Sequence, residues 1–129
     1  MAGYAYTATR YLQDAELSGQ TFNTLTPRHN LNLWTRYDLP AGALSGLDLG
    51  AGLRAVSKFS SGTGSTVVRA PGFVLVSLRA GYQINRNLAL ALNVNNLFDK
   101  TYWEKVSYPG RQNFYGEPRN VMLSLRASL

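Results

Sequence analysis

The chain has 129 residues, a formal net charge of +6, a single histidine and no cysteine. The length suits one domain, and the missing cysteine removes disulfides, thiolate chemistry and cysteine-based zinc sites. Charged residues make up 16% of the chain, low against the roughly 25% of a typical soluble domain, while the basic balance suits anionic partners without choosing among them.

No apolar run is long enough for a membrane-spanning helix. The N-terminal "MAGYAYTATR" lacks the charged and apolar regions of a signal peptide, so an exported protein is expected to include more chain than this. Six strands are predicted in order: Ala2–Tyr11, His29–Leu39, Gly46–Val56, Phe73–Ile84, Leu88–Leu97 and Arg119–Leu129. Each alternates in polarity and is bounded by Gly, Pro, Asn or Ser. Two connections are short, "PAGALS" and "NRN"; the other three, about residues 12–28, 57–72 and 98–118, are long. Repeated long loops are unusual in compact domains. Tight turns at one end and long loops at the other are the pattern of transmembrane β-barrels, whose tilted strands need about 9–11 residues.

Parity sorts the strands into two faces. One carries Leu31, Leu33, Tyr37, Leu49, Leu53, Val74, Val76, Leu78, Tyr82, Leu88, Leu90, Leu92, Val94, Val121, Leu123 and Leu125. The other carries Asn32, Trp34, Arg36, Asp48, Gly50, Gly52, Arg54, Ser77, Arg79, Asn93, Ser124 and Arg126. Periodicity alone leaves two readings open: a self-contained soluble β-barrel or sandwich that binds a small ligand, with the aliphatic set as core, or a membrane barrel with that set in hydrocarbon. Two details favour the membrane. The predicted strands contain no lysine and no glutamate, and their polar face is Arg, Asn, Ser, Gly and Ala, which suits a crowded aqueous lumen. Aromatics also gather near strand ends, with Tyr37 and Tyr82 at the short turns and Phe98, Tyr102 and Trp103 at a long loop, as membrane girdles require. Ordinary strand preference for Tyr and Phe accounts for them equally.

The segment "NVNNLFDKTYWE" resembles the penultimate strand and last loop of TonB-dependent outer-membrane receptors, in which an NLFDxxY string recurs, here Asn96, Leu97, Phe98, Asp99 and Tyr102. "YGEPRNVMLSLRASL" is similar to the closing strand of the same family, with Gly116, Pro118 and Arg119 at its opening. "YAYTATRY" and "TPRHNLNLWTRYDL" resemble two upstream strands of ferric-siderophore members. The four strings cover essentially the whole chain in the family's order, nearest to the hydroxamate and pyoverdine-type receptors.

The resemblance implies an all-β fold, an antiparallel up-and-down meander of about six strands. Residues 1–129 would be the C-terminal portion of a 22-stranded transmembrane β-barrel, with the plug and upstream strands absent. It implies TonB-dependent uptake of a ferric siderophore across the outer membrane of a Gram-negative bacterium. Iron would arrive already chelated, so no resident cofactor or protein metal site is expected. The implied partners are the siderophore, the plug and remaining barrel strands, the TonB complex acting through the plug, and outer-membrane lipid and lipopolysaccharide. Alone, the segment has two open edges and an apolar surface, and is expected to oligomerise or aggregate. Family members usually end in Phe or Trp; Leu129 here bears on recognition of the closing strand by the barrel-assembly machinery.

Within that frame Arg36, Arg54, Arg79 and Arg126 face the lumen, where they either concentrate an anionic ligand or pair with carboxylates of the plug. The last loop supplies Tyr102, Trp103, Tyr108, Arg111, Phe114 and Tyr115, whose planes and cation suit a mixed apolar and anionic chelate or simply pack the loop and its girdle. Arg69, Lys58, Lys100 and Lys105 lie near loop bases, within reach of ligand or lipopolysaccharide phosphates. An enzyme is not expected: His29 has no carboxylate near it in sequence, "GTGST" from Gly62 lacks the P-loop lysine, and "GALSG" does not match a nucleophile elbow. Nucleic acid is not an expected partner either, because the basic residues are spread over all strands instead of clustering on one face.

Overall fold

The structure is a computed structural model; it describes residues 1–10, 12–13, 18–19, 26–40, 42, 45–62, 67–107 and 111–128. Its strands are β1 (Ala2–Tyr6), β2 (His29–Asp38), β3 (Leu47–Val56), β4 (Phe59–Ser61), β5 (Val68–Ala70), β6 (Phe73–Asn85), β7 (Leu88–Asn95), β8 (Trp103–Lys105), β9 (Phe114–Tyr115) and β10 (Asn120–Ala127). Six of them form one sheet in the order β1, β2, β3, β6, β7, β10, with every neighbour antiparallel. The architecture is therefore an all-β meander, with β1 and β10 as its two outer strands.

The alternation read from the sequence becomes continuous rows once the strands are in register. Tyr37, Leu49, Ala80, Leu92 and Leu123 lie opposite one another across five strands. One residue along, Arg36, Gly50, Arg79, Asn93 and Met122 form the matching row on the other face. Among the described residues nothing covers the end of the first face at β10: Val121, Leu123 and Leu125 are 63%, 66% and 66% exposed. A self-contained soluble barrel would have sealed these side chains inside. The sheet is inside-out, as a barrel wall in a bilayer requires.

The polar face is built for close packing of its few large groups. A side chain at Gly52 would lie 2.6 Å from the Trp34 ring, and one at Gly50 would lie 2.9 Å from it, so these two glycines of β3 give the indole a bed across the strand. Gly81 leaves the room that the Asp48 carboxylate fills.

Three expected strands are shorter than their patterns by two residues or more. Pairing of β1 ends with Tyr6 opposite His29, followed by one more bond from the Thr7 amide to the Arg28 carbonyl. The next partner would be Pro27, which has no amide to donate; Tyr11, the expected last residue, lies outside the described residues. Strand β7 stops at Asn95 because Asn96 takes a left-handed conformation, φ 49°. Strand β10 stops at Ala127, though the Ser128 amide still reaches the Asn87 carbonyl; Leu129 lies outside the described residues. Two of the long connections carry structure of their own, the hairpins β4–β5 and β8–β9. Between these hairpins sits the small hydrophobic cluster of the described residues, Val56, Phe59, Ala70, Phe73, Tyr102 and Val106.

Candidate lumenal and loop site

The four arginines assigned to the lumen all stand on the polar face, and three of them are engaged within the chain. Asp48, only 8% exposed, lies 3.4 Å from Arg36 and 3.3 Å from Arg79. Arg36 also reaches Asp38 at 2.8 Å, and Arg79 donates to the Asn93 side-chain oxygen at 3.3 Å. Two guanidinium groups sharing one buried carboxylate hold each other in place, because removing the carboxylate would leave like charges side by side. Arg54, nearer the loops, pairs with Glu104 of β8 at 3.6 Å and lies over the Phe73 ring at 5.6 Å, a cation–π distance. Arg126 is exposed and lines an open cleft with Arg86, Ser124 and Ser128 at the short-turn end. Asp48 and Glu104 were not singled out by the sequence reading. Asp48 had a visible signal in its parity, as the acid of a strand whose polar face otherwise holds glycines and Arg54.

The NLFD string proves to be the clamp at the base of the last loop. Asn96 is 4% exposed; its amide donates to the carbonyls of Lys100 at 2.9 Å and Glu117 at 3.0 Å. Its side-chain oxygen accepts the Lys100 amide at 2.8 Å. One side chain thus joins the two ends of the loop. Asp99, also left-handed at φ 53°, accepts the Arg119 amide at 2.9 Å. Asn and Asp are the residues that enter this conformation most readily, so the string supplies both the turn and its polar partners.

Above the clamp, Tyr102 turns inward. Its ring packs against Phe73 at a tilt of 39°, with centroids 4.3 Å apart, and its exposure is 8%. Burial pushes its phenol above the ordinary value of 10.0, and the nearby Glu104 charge adds to the rise; Arg54 and a backbone hydrogen bond from Glu117 oppose it. Trp103, by contrast, stacks on Tyr115 across the β8–β9 hairpin, centroids 3.9 Å apart. Tyr115 and Phe114 are 62% and 56% exposed, and Arg111 is exposed beside that hairpin in sequence. The structure therefore brings Trp103 and Tyr115 together, leaves Phe114 and Arg111 open on the same loop, and separates Tyr102 from them as an anchor. Tyr108 lies outside the described residues. Phe98 is 74% exposed, whereas Tyr102 is buried, because Gly116 leaves space for its ring.

The family model for the TonB dependent receptor-like β-barrel matches residues 1–97. A ferric-pyoverdine receptor of a Pseudomonas species is 39% identical over 131 residues, covering 98% of this chain and 16% of the receptor. The metal-pseudopaline receptor of Pseudomonas aeruginosa is 32% identical over 125 residues, covering 97% of this chain and 18% of its own length. Among solved structures, the pyoverdine outer membrane receptor of Pseudomonas aeruginosa bound to pyoverdine superposes with a TM-score of 0.82 at 33% identity, over 99% of this chain and 18% of that one. The chain thus spans less than one fifth of the length of each of these relatives.

Proposed function

The chain belongs to the TonB-dependent receptor β-barrel family, and from that premise we propose that it is the closing part of an outer-membrane receptor that takes up a ferric siderophore by TonB-dependent active transport. It is a piece of a receptor and not of an enzyme, and it sits in the outer membrane of a Gram-negative bacterium. Its six strands supply the C-terminal wall of a larger barrel of 22 strands, which encloses a plug on the face that carries Arg36, Arg79 and Arg126. The observation that carries this reading is the uncovered row of aliphatic side chains opposite a wet, arginine-bearing face: a sheet of that polarity is stable with hydrocarbon on one side and aqueous protein on the other.

The siderophore meets the last loop. The stacked Trp103 and Tyr115, with Phe114, Arg111 and Tyr108, offer aromatic planes and a cation to a chelate that is part apolar and part anionic. Tyr102 fixes the hairpin that carries them. The iron is cargo, held by the siderophore's own donors. In isolation, the segment leaves the outer sides of β1 and β10 unpaired, and it self-associates unless detergent covers the apolar face.

The test is uptake of radio-iron by cells that express the full-length receptor. Pyoverdine-type, hydroxamate and catecholate chelates are supplied in turn, with and without a functional TonB complex. Energy-dependent accumulation of one class supports the reading. Accumulation of none, in cells where the receptor is folded in the outer membrane, overturns it.

A further inference from the structure

The β8–β9 hairpin is not evenly paired. Trp103 lies opposite Tyr115 but Lys105 lies opposite Phe114, so two steps along β8 answer one along β9. Glu104 is the extra residue, a β-bulge, and bulges re-aim a side chain beside functional surfaces. Here the carboxylate reaches the barrel wall and lies 3.6 Å from Arg54 of β3. Among the described residues it is the one ion pair that joins a loop to the sheet; the others lie within the sheet itself.

Arg54 is held from behind and open in front. Its guanidinium stands over the Phe73 ring at 5.6 Å, and that ring packs in turn against Tyr102. Phe73 therefore keeps the cation in place when its carboxylate partner changes. The pair with Glu104 is easily exchanged. Its side chains keep 43% and 47% of their surface exposed, so water screens their attraction, and 3.6 Å is long for a charge-assisted hydrogen bond. Arg36 and Arg79, by contrast, share the buried Asp48. Arg54 stands on the polar face, opposite Asn32 in the register of β2 and β3. The aromatic surface of the last loop begins one residue from Glu104, at Trp103 stacked on Tyr115.

We propose that Glu104 is a specificity-determining residue: it holds Arg54 against incoming cargo and yields it to a ferric chelate that carries a free carboxylate outside its iron-binding donors. The inference rests on the siderophore reading and names the chemical class of cargo within it. A carboxylate is what Arg54 already accepts, so the ligand's own anionic group competes with Glu104 for one cation. A chelate with an uncharged outer face gains nothing from Arg54 and leaves Glu104 where it is. A chelate with a free carboxylate restores the pairing and adds the contact of its rings with Trp103 and Tyr115. The exchange costs little, because Glu104 is half exposed on a bulge and returns to water.

The test is calorimetric titration of the full-length receptor in detergent micelles with two probes. One is a pyoverdine-type ferric chelate with a free side-chain carboxylate; the other is the same chelate with that group converted to the carboxamide. Heat-dependent gel mobility checks that every variant is folded. E104Q is expected to bind the carboxylate form about two- to fivefold more tightly, the effect of removing a half-exposed competing ion pair. It should bind the carboxamide form as the wild type does. R54Q should remove the preference for the carboxylate form, with Glu104 or with E104Q, whereas R54K should keep it. A pair with a merely structural role would weaken both forms alike in E104Q, and that result overturns the proposal. So does an E104Q variant indistinguishable from the wild type, and so does R54Q that keeps the preference. Failure of the siderophore reading looks different: a folded wild type that binds neither form loses that reading and this one together. Binding without the expected gain in E104Q overturns the role of Glu104 alone. A receptor that shows the expected pattern yet accumulates no chelate in cells retains this site and loses the transport function.

Discussion

The Tyr102 ring fills the space that a side chain at Gly116 would need, and the Gly116 amide donates to the Tyr102 carbonyl at 2.9 Å. The last loop is therefore closed by a glycine chosen for its missing Cβ. Gly116→Ala forces the ring away from Phe73, an overpacking cost of about 1–3 kcal/mol. Hydrogen exchange in the full-length receptor should show lost protection at Tyr102 and Val106 while the barrel strands keep theirs. Unchanged protection in the loop rules the packing account out.

Asn96 offers a second handle on the same loop. Asn96→Ala leaves the Lys100 and Glu117 carbonyls without the amide they now share, at about 0.5–1.5 kcal/mol for each of these part-buried bonds lost. Asn96→Asp keeps an acceptor for the Lys100 amide but sets a carboxylate against two carbonyls, so it should be no better than alanine. Both variants should weaken siderophore binding through a loosened loop and leave barrel assembly intact. Wild-type affinity in both would show that the clamp does not position the binding surface.

On the polar face, Asp48 stands between Arg36 and Arg79. Asp48→Asn should lower the unfolding temperature of the barrel. In the background of Arg79→Gln the same change should cost less, because one of the two facing cations has gone. A double-mutant cycle is expected to return a coupling of roughly 0.5–1 kcal/mol for this partly exposed pair. Additive effects would mean that the ion pair is incidental.

The inside-out polarity is tested by two neighbours in β10. Leu123→Arg puts a cation on the aliphatic face near the middle of the strand and should destabilise the barrel in lipid by about 2–4 kcal/mol. Ser124→Arg, one residue on, points to the wet side and should change stability little. The measurement is reversible unfolding of the full-length receptor in bilayers; equal costs for the two variants would contradict the assigned faces.

Tyr102 also makes the loop sensitive to alkali. Its phenol is raised above 10.0 in the fold by burial first and by Glu104 second. The folded loop therefore keeps its proton at a pH where the released loop loses it. Its packing is unaffected below that ordinary value and weakens as pH rises from there toward the raised folded value, since the released form binds fewer protons. Ultraviolet titration of tyrosinate should lose one group that titrates above its ordinary value in Tyr102→Phe, and that variant should abolish the alkaline loosening seen by exchange. A tyrosine that titrates at its ordinary value would remove the effect.

The alternation of Leu88, Leu90, Leu92 and Val94, like that of the other long strands, was enough to determine strand type, the six strands of the main sheet and the composition of each face, while the four short strands of the β4–β5 and β8–β9 hairpins escaped it. What it determined is local, fixed by the period-two geometry of an extended backbone. The NLFDxxY string was legible as a family mark, but its physical task was not: Asn96 acts on Glu117 and Asp99 on Arg119, each about twenty residues away, and only the closed loop brings them within hydrogen-bond distance. The same holds for Asp48, whose two arginines come from neighbouring strands, and for Tyr102, which sits among aromatic residues in sequence yet packs beneath them because Gly116 makes room. Sequence decided what each face is made of, through a rule that reaches only one or two residues along the chain. The choice of which polar groups are spent on one another, and which are left open to a ligand, belonged to the tertiary structure, because strand register and loop closure set distances that no local pattern encodes.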